Sequence, residues 1–80
     1  NSGLALSCYT TQVGMQFYTG NALGKKPLIG KGGKEFTRRS GFCLETQFFP
    51  NAFANPHFPQ PILREGEVWT SETVYRLTEI

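Results

Sequence analysis

Apolar and polar residues alternate along much of this chain, and a period of two is the spacing of side chains along a β-strand. The first stretch shows this period of two at Leu4, Leu6 and Cys8, which are each separated by one residue. The last stretch is also rich in β-branched and aromatic residues. The predicted strands cover residues 4–9, 15–19, 41–47 and 68–77. Helical spacing is hard to find, so the pattern predicts an all-β fold.

A proline-rich stretch separates the third predicted strand from the fourth. Four prolines fall within residues 50–61, and their fixed φ and missing N–H groups exclude a helix or a central strand. We expect an irregular loop there, packed down by Phe53 and Phe58. Glu65 and Gly66 then predict a turn that leads into the last strand.

The chain is short, with 80 residues of which 39% are hydrophobic. Chains of this size bury a small core and usually need disulfides, a metal or another chain for stability. The two cysteines, Cys8 and Cys43, are too few for a disulfide scaffold, and a lone histidine leaves no four-ligand zinc site. We expect both cysteines to be reduced and buried, with one disulfide between them as the alternative. Residues 1–80 form a single segment without an internal repeat.

Net charge is +2, but six of the eight basic residues lie within residues 25–39 among several glycines. A solvated loop explains this cluster, and a small basic module that binds nucleic acid or another anion is the alternative. The Walker A and dinucleotide-binding patterns both fail at the required positions. No apolar run approaches the ~18 residues of a membrane-spanning helix, and the first residues lack a signal pattern. We therefore expect a soluble, cytoplasmic protein without membrane or nucleic-acid partners.

Glu45 is the charged residue that stands out, because it interrupts a strand with apolar flanks. Alternation places it on the face opposite Phe42 and Leu44, which we expect to be buried on the core side. Burying an unpaired carboxylate is costly. Glu45 therefore pairs with a cation, faces solvent or performs chemistry, and Gln16 raises the same question on a neighbouring strand. These residues alone leave the choice open.

Four segments of the chain resemble one known family. Residues 9–21 read YTTQVGMQFYTGN, similar to the YTTQPGVQFYTGN segment of the aldose 1-epimerase (galactose mutarotase) family, with departures at Val13 and Met15. Residues 40–47 read SGFCLETQ, as in the family. Residues 62–67 are similar to its LRPGE segment, with Glu65 in place of proline, and residues 73–76 to its last strand. The resemblance covers residues 8–76 in order and with compatible spacing.

The resemblance implies a large antiparallel β-sandwich, the galactose-mutarotase-like supersandwich, built around a sugar cleft. Residues 1–80 would be its C-terminal strands, incomplete on their own. The catalytic base of the family carries over to Glu45, and a glutamine that contacts sugar hydroxyls carries over to Gln16. Two histidines and an aspartate that complete the family site lie upstream of the matched region, and His57 matches none of them.

The implied reaction interconverts the α and β anomers of hexoses such as galactose and glucose by acid and base catalysis, without metal or cofactor. The implied partners are the small-molecule aldose and the missing upstream part of the enzyme, in the same or another chain. We expect the isolated chain to be inactive. Two alternatives remain open: a non-catalytic carbohydrate-binding fragment or member of the same fold, and the small basic anion-binding β module.

Overall fold

The secondary structure consists of strands and loops. The computed structural model describes residues 2–80, and within them it contains no α-helix. Four strands follow one another along the chain: β1 (Leu4–Thr10), β2 (Gly14–Tyr18), β3 (Cys43–Gln47) and β4 (Thr73–Glu79). Two three-residue 3-10 turns cover Lys31–Gly33 and Ala52–Ala54. The prediction of an all-β fold is confirmed.

Strands β1 and β4 pair antiparallel along their full lengths, from Leu4 opposite Glu79 to Thr10 opposite Thr73. One further backbone bond, from the Thr11 N–H to the Glu72 carbonyl at 3.0 Å, closes this end of the ladder. The prediction that the last strand starts at residue 68 is therefore wrong. The chain bends after Thr11, so β1 does not extend far enough to pair with residues 68–71. Those residues remain irregular.

Strands β2 and β3 are neighbours in a second two-stranded sheet. Their positions agree with the period-two pattern to within two residues at either end. The described residues fall into two compact units, of which the first comprises residues 2–15 and 46–80 and the second residues 16–45. Isolated two-stranded sheets are marginally stable in water, so neither pair of strands provides a self-sufficient scaffold.

Little apolar surface is buried. Ala52, with 5% of its surface exposed, is the one buried hydrophobic residue among residues 2–80. Phe42 and Phe53 are 57% and 71% exposed. The predictions that Phe42 is buried on the core side and that Phe53 packs the loop down are therefore wrong. Phe58 is half-buried, with its ring edge to face with Phe49 at 5.1 Å between centroids. Exposure on this scale is typical of a surface that another segment or protein covers.

The proline-rich loop is held by backbone hydrogen bonds and by the side chain of Gln60. The amide nitrogen of Gln60 lies 2.8, 3.2 and 3.0 Å from the carbonyl oxygens of Ala52, Asn55 and Phe58. The carbonyls of Ala52 and Asn55 also accept the backbone N–H groups of Asn55 at 3.0 Å and Phe58 at 2.9 Å, so the Gln60 amide adds to bonds that the loop backbone already makes. The predicted turn at Glu65 and Gly66 is present as well, with Gly66 at a φ of 82°.

The two cysteines are free thiols. Cys8 is half-buried on β1, and Cys43 is exposed on β3. The expectation of reduced cysteines agrees with the structure, whereas the burial expected for Cys43 is wrong. Cys43 stands at the first position of its strand, where few neighbours surround it.

Candidate functional site

The second unit holds both residues that the sequence singles out for chemistry. Gln16 lies on β2 and Glu45 lies on β3, and these strands are neighbours in one sheet. Both side chains are exposed. A carboxylate with open access can accept a proton from a bound hydroxyl group, and an amide can both donate to and accept from one.

A ring contact indicates which face of the sheet each residue occupies. Phe17 and Phe42 meet edge to face, with centroids 6.0 Å apart and an interplanar angle of 73°. The two rings therefore share one side. Phe42 directly precedes β3, and neighbouring side chains alternate between the faces of a sheet. We therefore expect Gln16 and Glu45 to lie together on the opposite side.

The loop between β2 and β3 is closed at its base by hydrogen bonds. The carbonyl of Gly20 accepts the N–H groups of Leu23 at 3.2 Å and Arg39 at 3.0 Å. The guanidinium Nε of Arg39 also donates to Oδ1 of Asn21 at 2.8 Å. These bonds join the chain where it leaves β2 to the chain where it approaches β3, so they set the spacing of the strands that carry Gln16 and Glu45.

Glycine is required at position 20. Its φ is 72°, in the left-handed region, and a Cβ atom added there would lie 2.7 Å from the carbonyl oxygen of Gly41. Both the backbone conformation and the close approach exclude a larger residue. The backbone of the YTGN segment therefore requires glycine at this position for a structural reason, which is separate from any contact with a ligand.

The basic residues in the loop between β2 and β3 are all exposed. Within the same loop, the ring of Phe36 lies over Gly30, 2.5 Å from where a Cβ atom of Gly30 would be. A shallow cleft of about 280 Å³ is lined by both signs of charge, because Glu35 joins Lys25 and Arg38 in its wall. An acidic side chain between cations weakens attraction for an anion. The solvated-loop interpretation agrees with this arrangement.

The lone histidine lies apart from the predicted base in the chain. His57 is exposed in the proline-rich loop and its ring lies edge to face with Phe58, at 4.5 Å between centroids. Across residues 2–80, no three His, Cys, Asp or Glu side chains cluster so that they could hold a metal ion. The structure of residues 2–80 also contains no helix that is long and apolar enough to cross a membrane.

The first unit contains a cleft of about 430 Å³ that the sequence does not predict. Its polar wall consists of Gln12, Thr46 and Gln47, and Trp69 with residues 61–63 contributes apolar surface. The sequence pattern placed Trp69 within a strand, but the residue lies in an irregular segment before β4 and is 53% exposed. The polar residues that follow Trp69 in the sequence indicate that β4 starts later.

The chain is similar to one family of known proteins over most of its length. The family model described as "Aldose 1-epimerase" matches residues 1–76. The chain is 48% identical over 77 residues to a galactose mutarotase of Bos taurus. The aligned region covers 96% of the chain and 22% of the relative. It is 53% identical over 72 residues to a galactose mutarotase of Sus scrofa, covering 90% of the chain and 21% of the relative.

A bacterial relative shares the same region. The chain is 40% identical over 75 residues to an aldose 1-epimerase of Escherichia coli strain K12, covering 91% of the chain and 21% of the relative. The chain thus spans about a fifth of the length of the curated relatives that it matches.

Proposed function

The chain belongs to the aldose 1-epimerase family, and from that membership we propose that it supplies part of the site of an enzyme that interconverts the anomers of hexoses such as galactose and glucose. In this proposal Glu45 is the catalytic base and Gln16 binds sugar hydroxyls. The observation that supports it most directly is the assignment of both exposed side chains to one face of the β2–β3 sheet, opposite the Phe17–Phe42 contact.

The reaction needs two proton transfers. Glu45 removes the proton of the C1 hydroxyl group, and the electron pair of that O–H bond becomes the second bond of the aldehyde carbonyl. The bond between C1 and the ring oxygen breaks at the same time, and an acid protonates the ring oxygen. Rotation of the aldehyde and the reverse transfers close the ring on the other face. Positioned acids and bases contribute about 10²–10⁴-fold each to such steps.

The acid and the rest of the sugar cleft come, in this proposal, from the part of an aldose 1-epimerase that corresponds to the other four-fifths of the relatives. On the other side of the sheet, away from Glu45 in this proposal, the exposure of Phe17 at 58% and Phe42 at 57% supports a further segment that packs over the rings. Covering such surface stabilises a fold by about 25 cal/mol per Å² of apolar area. A base without its acid and its opposing wall does not hold a sugar in reactive geometry, so the 80 residues alone should be inactive.

A chimera tests the proposal. In this protein, the chimeric epimerase, the chain replaces the aligned residues of the galactose mutarotase of Bos taurus. Polarimetry on freshly dissolved α-D-galactose should show anomer exchange well above the buffer rate for the chimeric epimerase, and the buffer rate for the 80 residues alone. A folded chimera that binds galactose without accelerating exchange would support the non-catalytic alternative instead. Activity of the isolated chain would contradict the division of the site.

A further inference from the structure

Three threonine side chains form a chain of hydroxyl groups, the threonine chain, that ends at the residue next to Glu45. Oγ1 of Thr73 lies 3.0 Å from Oγ1 of Thr10 and 3.0 Å from Oγ1 of Thr46. Both contacts are part-buried, and they join β4 to β1 and to β3. Thr46 directly follows Glu45 on β3. The threonine chain therefore holds β3 at the residue after the proposed base.

The end of the threonine chain that lies away from β3 is anchored in a regular ladder. Thr10 and Thr73 are paired residues of the antiparallel strands β1 and β4. Oγ1 of Thr10 also accepts the backbone N–H of Gln12 at 3.0 Å. Because threonine is branched at Cβ, its side chain has few accessible rotamers. The β1–β4 ladder thus defines the position of the Thr73 hydroxyl group.

Thr46 and Glu45 occupy different faces of β3, because successive side chains of a strand alternate. Their exposure agrees with this assignment, since Thr46 is half-buried and Glu45 is exposed. Thr73 contacts Thr46 on the half-buried face, so the backbone of β3 separates its hydroxyl group from the face of Glu45. An influence of Thr73 on Glu45 therefore runs through the backbone that carries both residues of β3.

The position of that backbone matters because proton transfer requires a close approach. A general base must come within about 2.6–3.2 Å of the group whose proton it removes, and a misplacement of ~1 Å can cost about 10²-fold in rate. Consecutive Cα atoms are held ~3.8 Å apart, so a shift of Thr46 also moves the backbone of Glu45. We propose that Thr73 is a positioning residue for the base, a role that rests on the proposed function of Glu45.

The variant Thr73→Val in the chimeric epimerase removes the shared hydroxyl group and keeps the shape of the side chain. Polarimetry on freshly dissolved α-D-galactose should show kcat lower by about 5- to 50-fold, less than the ~10²-fold cost of a full 1 Å misplacement. KM should change little, because the groups that bind the sugar are retained. Thr73→Ser keeps the hydroxyl group and should keep kcat near its original value. Thr78→Val, the same change elsewhere on β4, is the matched control and should leave kcat unchanged.

A second background separates positioning of the base from a general loss of structure. In the Glu45→Gln chimera the base is already lost, so Thr73→Val should lower the remaining rate by a much smaller factor than it does beside an intact Glu45. A purely structural role would lower both rates by the same factor.

Thr46→Val is a second variant that breaks the same link from the side of β3. It leaves the contact between Thr10 and Thr73 in place and should reproduce the fall in kcat. This variant decides the question if the Thr73→Val protein does not fold.

Four results would overturn the positioning role. They are a Thr73→Val variant with the kcat of Thr78→Val, a Thr73→Ser variant as slow as Thr73→Val, a Thr46→Val variant with unchanged kcat, and equal factors with and without Glu45. Near-normal turnover by the Glu45→Gln chimera would instead contradict the proposed function, so the two failures are distinguishable.

Discussion

Phe17 and Phe42 meet edge to face across two neighbouring strands, with ring centroids 6.0 Å apart, although both rings are more than half exposed. The contact is worth about 0.5–1.5 kcal/mol beyond the apolar area it covers. Its larger consequence is directional, because it brings two apolar rings together on one side of the β2–β3 sheet. Alternation then predicts that Gln16 and Glu45 lie on the other side.

The first prediction concerns Gly20, in the loop that sets the spacing between β2 and β3. Gly20→Ala in the chimeric epimerase should lower the free energy of unfolding by more than the ~1–2 kcal/mol cost of a left-handed alanine, because the new Cβ would also lie 2.7 Å from the Gly41 carbonyl oxygen. Urea denaturation measures the change.

Gly32→Ala is the matched control, since Gly32 also has a φ of 72° but has open space around its Cβ position. The control reports the backbone cost alone. Equal losses of stability in the two variants would show that the close approach to Gly41 does not exist.

Thr73 gives the second prediction, on the threonine chain of the first unit. Thr73→Val keeps the shape of the side chain and removes the hydroxyl that serves both Thr10 and Thr46. The free energy of unfolding of the chimeric epimerase should fall by about 1–3 kcal/mol, because two part-buried hydroxyl groups lose a partner. Thr78→Val on the same strand is the control and should change stability by less. A Thr73→Val variant as stable as the Thr78→Val variant would argue against the chain of hydroxyl groups.

The first three strands were the part of the fold that the sequence predicted well. Alternation around Leu4 and Glu45 depends on residues next to each other in the chain, so β1 and β3 were recognised within a few positions. The pairing of β1 with β4 was not predicted, because it joins residues as far apart as Leu4 and Glu79, and local pattern carries no information on such partners.

Burial was predicted poorly for a related reason. Phe42 and Phe53 are apolar enough to occupy a core, but 80 residues supply too few neighbours to cover them. The cleft beside Trp69 was missed because the pattern extended the last strand back to residue 68. The choice of Glu45 and Gln16 came from the family resemblance, since periodicity alone left the role of both open.

Gln16 gives the third prediction, on sugar binding. Gln16→Ala in the chimeric epimerase should raise KM for galactose by about 2- to 10-fold with little change in kcat, because one neutral hydrogen bond to the sugar is lost in both the bound and the transition state. Initial rates over a range of galactose concentrations separate the two constants. A large fall in kcat at unchanged KM would instead assign Gln16 to the chemical step.

Glu45→Gln is the last prediction and tests the central claim most directly. The change keeps the shape of the side chain and removes its basicity, so kcat for anomer exchange by the chimeric epimerase should fall by at least ~10²-fold, or about 2.7 kcal/mol of transition-state stabilisation, with little change in unfolding by urea. Glu79→Gln, the same change at an exposed position on β4, should leave kcat near its original value. Polarimetry of freshly dissolved α-D-galactose measures all three proteins, and near-normal turnover by the folded Glu45→Gln variant would contradict the assignment of Glu45 as the base.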